Sequence, residues 1–201
     1  MNIAVLASGE GTTLQAVIDA CAAGAIAGRV TLVISNNSGS GALRRARSAG
    51  VATVHLSGRT HPDPVALDRA IHSALEQHGA EVVLLAGYMK MLGPRTLERF
   101  AGRVLNTHPA LLPKFGGRGM YGEHVHRAVL AAHERMSGAS IHLVDGSYDT
   151  GALIAQVTVP VEPDDSVETL AQRVQAAERA LLVGLLAELA SGTRALPLRP
   201  P

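Results

Sequence analysis

Short apolar runs alternate with segments of helical periodicity through the first half of this chain, and this alternation limits the possible folds most strongly. The runs lie at 2–7, 31–35, 52–56, 82–86 and 104–106. They are continuous rather than alternating in polarity, as in strands that are buried on both faces. Strands that alternate with helices predict a mostly parallel sheet with helices on both faces, so we expect a three-layer, Rossmann-like α/β fold.

The second half of the chain changes character after a glycine-rich segment at 114–122. Strands predicted at 140–144 and 152–161 are joined by a connection too short for a parallel crossover, so we expect an antiparallel C-terminal strand pair. A long helix is predicted to begin near Asp165 and Glu168, which resemble a capping box.

The 201 residues predict one domain over 1–190, followed by a Pro-rich tail at 191–201 that we expect to be frayed. The net charge of +1 offers no surface for tracking nucleic-acid phosphates. The single cysteine, Cys21, excludes a Cys-based zinc site, and we expect no metal. No apolar run approaches the ~20 residues of a membrane span. We expect a cytoplasmic protein with small-molecule substrates, as a monomer or weak homodimer.

The first candidate motif, Ser8-Gly9-Glu10-Gly11-Thr12-Thr13, lies between the first strand and the first helix. A helix N-terminus offers free N–H groups to an anion, and glycine lets a phosphate approach the backbone. A plain tight turn is the alternative. A dinucleotide fingerprint would need a third glycine where Leu14 stands, and no Walker lysine is present, so a sugar monophosphate is favoured.

The second motif, at 106–113, follows the fifth predicted strand, where ligands bind in open α/β sheets. The Asn106 amide can donate a hydrogen bond to a developing oxyanion, and His108 can move a proton. The alternative is a turn-capping asparagine and a structural histidine.

Asp149 lies in a third polar stretch, where an aspartate is often only a turn former. Beside His108 it would stabilise the imidazolium, so the pairing predicts a His108 pKa above ~6.5. A set of Asn106, His108 and Asp149 contains no nucleophile. It therefore favours direct transfer between two bound substrates over a covalent enzyme intermediate.

Three motifs together resemble the phosphoribosylglycinamide formyltransferases, a folate-dependent family of purine synthesis, over nearly the whole chain: Gly9-x-Gly11, Asn106-x-His108-Pro109-x-Leu111-Leu112-Pro113 and Asp149-x-Gly151. The resemblance implies transfer of the formyl group from 10-formyltetrahydrofolate to the amine of phosphoribosylglycinamide through a tetrahedral intermediate. It also implies that Asn106, His108 and Asp149 are the catalytic residues. A formyltetrahydrofolate hydrolase is the alternative, since the same residues can present water instead of an amine.

The resemblance further assigns binding residues. Gly11, Thr12 and Thr13 match the loop for the substrate phosphate, and Gln175 and Glu178 match positions that meet the glycinamide, where a solvated helix surface is the alternative. The residues that match the folate-binding segments are Met89, Lys90, Met91, Leu92, Asn106, Asp145, Gly146, Ser147, Tyr148 and Asp149. For Met89 and Met91 a core position is the alternative.

Two departures from the family pattern affect these assignments. Pro64 stands where many members have an arginine that meets the folate tail, and Arg59 is the only candidate replacement. The loop at 116–122 is longer than in many members; we expect it to close over the phosphoribosyl substrate, with Arg118 either on the phosphate or solvated.

Three other histidines bear on the candidate site. His124 and His126 cannot share one helix face at a spacing of two, so we expect surface or capping roles rather than a metal site. His142 is predicted in a strand near Asp149, where supporting the site and a purely structural role stay equally open.

Overall fold

The computed structural model describes residues 1–197, and over this range seven strands and six helices follow one another along the chain. In chain order they are β1 (Asn2–Leu6), α1 (Thr12–Ala22), β2 (Arg29–Ser35), α2 (Gly41–Ser48), β3 (Ala52–His55), α3 (Pro64–Gln77), β4 (Val82–Leu85), α4 (Pro94–Arg99), β5 (Val104–His108), α5 (Glu123–Ala131), β6 (Met136–Leu143), β7 (Leu153–Pro160) and α6 (Val167–Ser191). The described chain forms two compact units, one of Met1–Leu105 with residues 186–197, and one of Asn106–Leu185.

In the first unit, parallel strands lie in the order β3-β2-β1-β4. Ile3 of β1 pairs with Val30 of β2 on one side and with Val82 of β4 on the other. The inner strands are almost completely buried, which explains why their sequences are continuously apolar.

Local sequence sets the start of α3. The Asp63 carboxylate accepts hydrogen bonds from the backbone N–H groups of Val65 and Ala66, and Pro64 occupies the first helical position. Proline has no N–H, and its fixed φ suits the first turn, so this start was predictable from the sequence.

In the second unit, β6 and β7 pair antiparallel from Met136↔Pro160 to His142↔Leu153. One face of this unit packs a cluster of buried apolar residues from β6, β7, α5 and α6: Val129, Ala139, Val159, Leu170 and Val174. The predicted α/β class, with mostly parallel strands and an antiparallel C-terminal pair, is confirmed.

The domain boundaries stay a prediction. α6 ends at Ser191, close to the predicted end of the domain at residue 190, and residues 198–201 of the predicted tail lie outside the described residues. Among residues 1–197, no helix combines the length and apolar character that crossing a bilayer requires.

Candidate active site

The end of β5 and the β6–β7 connection bring together the three residues predicted to be catalytic. Asn106 and His108 are two apart on β5 and so project from the same side of the strand. Asp149 lies between them: its Oδ1 is 3.4 Å from Asn106 Nδ2 and its Oδ2 is 3.5 Å from His108 Nδ1. The side chains of His108 and Asp149 are 4% and 9% exposed, so the three polar groups interact with little screening by water.

The backbone around Asp149 is arranged to present its carboxylate. Asp149 has φ +56°, in the left-handed region, which aspartate tolerates better than most residues. Its Oδ2 accepts a hydrogen bond of 2.9 Å from the Gly117 N–H. A Cβ on Gly116 would lie 2.5 Å from a Leu112 methyl group and 3.3 Å from Asp149 Cβ, so a side chain there would press on the site.

Asp149 stays ionised although it is buried. Burial raises the pKa of its carboxyl group, but the adjacent His142, the charge of His108 and the Gly117 N–H together hold that pKa below its usual value. The site therefore contains a fixed negative charge at neutral pH.

The direction of the His108 pKa shift is opposite to the one expected from the sequence. Burial lowers this pKa, and the His142 charge lowers it further, whereas the Asp149 charge and the hydrogen bond to Phe115 raise it. The net direction is downward, so the prediction of a value above ~6.5 is wrong. The pKa is lowered because the protonated His108 ring loses more favourable hydration on burial than it gains from attraction to the Asp149 carboxylate 3.5 Å away.

A fourth side chain, His142 on β6, joins the three. It is 1% exposed, and its Nε2 lies 3.0 Å from Asn106 Nδ2 and 3.3 Å from Asp149 Oδ1. Its Nδ1 lies 2.8 Å from the Leu143 carbonyl oxygen. The sequence left the role of His142 open; its signal was a lone histidine in a predicted strand, and only the tertiary structure shows that it contacts Asn106.

The predicted phosphate loop precedes α1 in the first unit. Gly11 is the N-cap, with φ +75°, and a Cβ there would lie 2.6 Å from Ala42 Cα, so this position requires glycine. Among residues 1–197 no side chain caps α1, and no acid lies in its first turn, so the positive end of the helix dipole at Gly11 and Thr12 suits an anion. The acid inside the loop, Glu10, is turned toward Arg44 at 3.3 Å.

The two predicted folate segments differ in exposure. Met89 and Met91 are 49% and 51% exposed, so the alternative of core positions is wrong for both, whereas Leu92 is buried. The Met89 N–H donates to Ser8 Oγ, at 2.8 Å, which ties this segment to the start of the phosphate loop. Lys90, between the two methionines, is exposed.

The second folate segment is an ordered turn. Asp145 accepts hydrogen bonds from the Ser147 N–H and the Thr150 hydroxyl, so its carboxylate shapes the turn. Gly146 adopts φ +99°, and Tyr148 is 48% exposed.

On α6, the two residues assigned to the glycinamide behave differently. Glu178 is 7% exposed and its Oε1 accepts a hydrogen bond of 3.2 Å from Thr107 Oγ1, so the alternative of a solvated surface is wrong for this residue. Thr107 lies between Asn106 and His108 and projects from the opposite face of β5, so the Glu178 carboxylate contacts β5 on the face away from those two side chains. Gln175 is exposed.

The departures from the family pattern have clear positions. Arg59 and His55 line a cavity of about 450 Å³ together with Asn36, Asn37, Ser38 and Thr60. Arg118 is exposed in its loop. Pro64 is the first residue of α3 and contributes no charge.

The expected surface position is wrong for His126. It is 2% exposed, and among residues 1–197 its Nδ1 has no hydrogen-bond partner. Burial lowers its pKa, the charge of His108 lowers it further and Glu123 raises it. His124 is exposed, as expected. Within residues 1–197, no group of three or more His, Cys, Asp or Glu side chains is arranged to hold a metal ion.

Comparisons with known proteins point to one family. The family model for formyl transferase matches residues 1–186. Phosphoribosylglycinamide formyltransferase of Escherichia coli (strain K12) is 40% identical over 192 residues, which cover 96% of this chain and 88% of that protein. The enzyme of the same name from Mycobacterium tuberculosis (strain CDC 1551 / Oshkosh) is 41% identical over 190 residues, 94% of this chain and 85% of the other. The crystal structure of glycinamide ribonucleotide transformylase 1 from Symbiobacterium toebii superposes with a TM-score of 0.90 at 38% identity, covering 98% of this chain and 91% of that one.

Proposed function

This chain belongs to the formyl transferase family, and from that premise we propose that it is a phosphoribosylglycinamide formyltransferase. It transfers the formyl group of 10-formyltetrahydrofolate to the amine of phosphoribosylglycinamide and so makes formylglycinamide ribonucleotide in purine synthesis. The observation that carries the proposal is the largely buried contact of Asn106, His108 and Asp149, with Asp149 Oδ1 3.4 Å from Asn106 Nδ2 and Asp149 Oδ2 3.5 Å from His108 Nδ1.

The contact favours direct formyl transfer because of what each group can do. Asn106 can donate to an oxyanion but has no proton to exchange near neutrality. Asp149 supplies fixed negative charge, and His108 can accept and release a proton. Serine, cysteine and lysine side chains are absent from these three positions, so the site has no group to carry the formyl covalently.

The first chemical step is attack by the substrate amine nitrogen on the formyl carbon. The carbonyl oxygen becomes an oxyanion in the tetrahedral intermediate, and the Asn106 amide donates a hydrogen bond to it. Removal of one such donor costs ~10²–10³ in rate in comparable acyl-transfer sites.

The second step moves one proton. The attacking amine, cationic after it bonds to carbon, loses a proton, and the folate nitrogen gains one as its bond to carbon breaks. His108, paired with Asp149, and a water held by Asp149 form the route. His108 Nε2 is hydrogen-bonded to the Phe115 carbonyl oxygen at 2.8 Å. We infer that this hydrogen bond breaks before Nε2 exchanges a proton with the substrate.

Substrate binding is divided among the remaining residues. We propose that the N–H groups at Gly11, Thr12 and Thr13 hold the substrate phosphate. Glu178, whose acid group is buried beside the catalytic strand, and Gln175 then meet the glycinamide end. A carboxylate oxygen can accept a hydrogen bond from the amine at that end of the substrate.

The folate pterin is assigned to the segments Met89–Leu92 and Asp145–Asp149. The half-exposed side chains of Met89 and Met91 support this assignment, since a thioether adapts to a flat aromatic ring.

We further propose a cytoplasmic monomer or weak homodimer that binds neither nucleic acid nor membranes. Light scattering after gel filtration, with and without substrates, tests the oligomeric state.

An absorbance assay for release of tetrahydrofolate, with and without phosphoribosylglycinamide, tests the function. We expect release only when the amine substrate is present, with a formylated product of matching amount by mass spectrometry. Release at the same rate without the amine would identify a hydrolase instead.

A further inference from the structure

The hydrogen bonds of His142 determine which of its ring nitrogens carries a hydrogen. Nδ1 lies 2.8 Å from the carbonyl oxygen of Leu143. A carbonyl oxygen only accepts, so Nδ1 is the donor of this bond. In the neutral ring Nε2 is then an acceptor without a hydrogen.

This acceptor faces one end of the Asn106 amide, at 3.0 Å from Nδ2, and it also lies 3.3 Å from Asp149 Oδ1, so these two acceptors share the Asn106 NH₂ group as their donor. The same Nδ2 lies 3.4 Å from Asp149 Oδ1, and a carboxylate oxygen also only accepts. Both neighbours therefore require a donor at this end of the amide. A reversed amide would place its oxygen against two acceptors and leave them unsatisfied in a buried position.

The two contacts of the Asn106 NH₂ group differ in quality. The bond to His142 is 3.0 Å, whereas the contact to Asp149, at 3.4 Å, is longer than a well-formed N–H···O bond of about 2.7–3.2 Å. The hydrogen directed at His142 is firmly held, and the other is only weakly engaged. The weakly engaged hydrogen can pass to a developing oxyanion at little cost.

We propose that His142 is a positioning residue that orients the Asn106 amide, so that an N–H and not the amide oxygen is available to the oxyanion. The proposal rests on the formyl-transfer function proposed above. His142 suits this role because it is 1% exposed and its other nitrogen is anchored to the β6 backbone.

Replacement of His142 by leucine tests the proposal in activity. We expect His142→Leu to lower kcat about 10- to 100-fold, the range seen when a group that orients a metal ligand is removed. The KM of either substrate should change less than about threefold, because His142 itself is not among the residues assigned to substrate binding. His142→Gln can return an acceptor oxygen near the position of Nε2 and should recover much of the loss.

A matched control is His72→Leu, which removes a buried histidine on α3, outside the site. It should leave kcat unchanged. Thermal melts of all three variants show whether each one folds. A His142→Gln variant that folds but is as slow as His142→Leu would contradict the proposal.

A double-mutant cycle identifies the residue through which His142 acts. If His142 acts through Asn106, adding His142→Leu to Asn106→Ala should cost nothing more in kcat. Costs that multiply would overturn the proposal, since they would mean that His142 acts through Asp149 or on its own.

A readout without turnover separates this proposal from the proposed function. In the NMR spectrum of the wild-type protein, the two side-chain amide protons of Asn106 should have widely separated shifts, because only one is well hydrogen-bonded. In His142→Leu the separation should shrink, and an unchanged pair would overturn the proposal. A wild-type protein that gives these spectra but transfers no formyl group would contradict only the function.

Discussion

His108 Nε2 donates a hydrogen bond of 2.8 Å to the carbonyl oxygen of Phe115. Two residues later, the Gly117 N–H binds Asp149. One short segment therefore contacts both members of the proposed proton-transferring pair, and a movement of this segment would change His108 and Asp149 together. Phe115 itself has φ +55°, a backbone conformation that is uncommon for a bulky residue.

Loss of the Asp149 charge should lower the His108 pKa further. The carboxylate raises that pKa against the larger effect of burial, so Asp149→Asn removes the main opposing contribution. We also expect kcat to fall by ~10²–10⁴, the usual contribution of a positioned acid–base group. NMR titration of His108 in both proteins measures the shift, with the exposed Asp19→Asn as control. An unchanged His108 pKa in Asp149→Asn would contradict the pairing.

The folded protein should lose stability as the pH falls below about 6.5, the ordinary histidine value. Burial lowers the pKa of His108 and of His126, so the unfolded chain binds more protons than the folded one in this range. Stability then decreases as the pH falls, until the folded-state pKa is passed.

His126→Leu tests this pH dependence without touching the candidate site. It removes one histidine whose protonation is disfavoured by burial in the folded protein, so the decrease in melting temperature between pH 7 and 5 should become shallower. Thermal melts across that range measure it, and His124→Gln, an exposed change on the same helix, should leave the decrease as in the wild type. If the His126→Leu protein kept the wild-type pH dependence, His126 would not be a cause of the loss of stability at low pH.

Asn106→Asp should be a worse enzyme than Asn106→Ala. The aspartate would place a carboxylate near Asp149 Oδ1, which lies 3.4 Å from the present amide nitrogen, and would oppose the developing oxyanion. The alanine variant leaves room for a water to donate and should lose ~10²–10³ in kcat. Kinetics beside calorimetric affinities for phosphoribosylglycinamide, which should be unchanged, test this order. Near-normal kcat in Asn106→Asp would exclude the oxyanion role.

Thr12→Val should raise the KM for phosphoribosylglycinamide more than the KM for the folate, because it removes an exposed hydroxyl beside the backbone N–H groups proposed to hold the phosphate. Thr158→Val, an exposed change on β7, is the control. Equal effects on both substrates would argue against a phosphate at this loop. Gly11→Ala is unsuitable for this purpose, since its Cβ would lie 2.6 Å from Ala42 Cα.

Arg59→Ala tests whether this residue replaces the family arginine at the folate tail. Arg59 lines the cavity of about 450 Å³, and loss of its charge should raise the folate KM more for a triglutamyl tail than for a single glutamate. Arg69→Ala, on the exposed side of α3, should change neither value. A constant ratio of the two KM values would leave Arg59 without this role.

Residues close in sequence determined much of this protein. The continuous apolar runs predicted β1, β2 and β4 because burial on both faces requires such runs. Asp63 and Pro64 predicted the start of α3 because capping depends only on neighbouring residues. The spacing of Asn106 and His108 placed both on one side of a strand, since side chains alternate along it.

Only the tertiary structure decided how these groups affect one another. Glu178 and His126 are buried, and His142 contacts Asn106, because segments distant in sequence pack around them. The His108 pKa is the sharpest case. The pairing with Asp149 was predictable, but desolvation sums over every atom that displaces water, so the net direction depends on the whole packed surroundings of the ring.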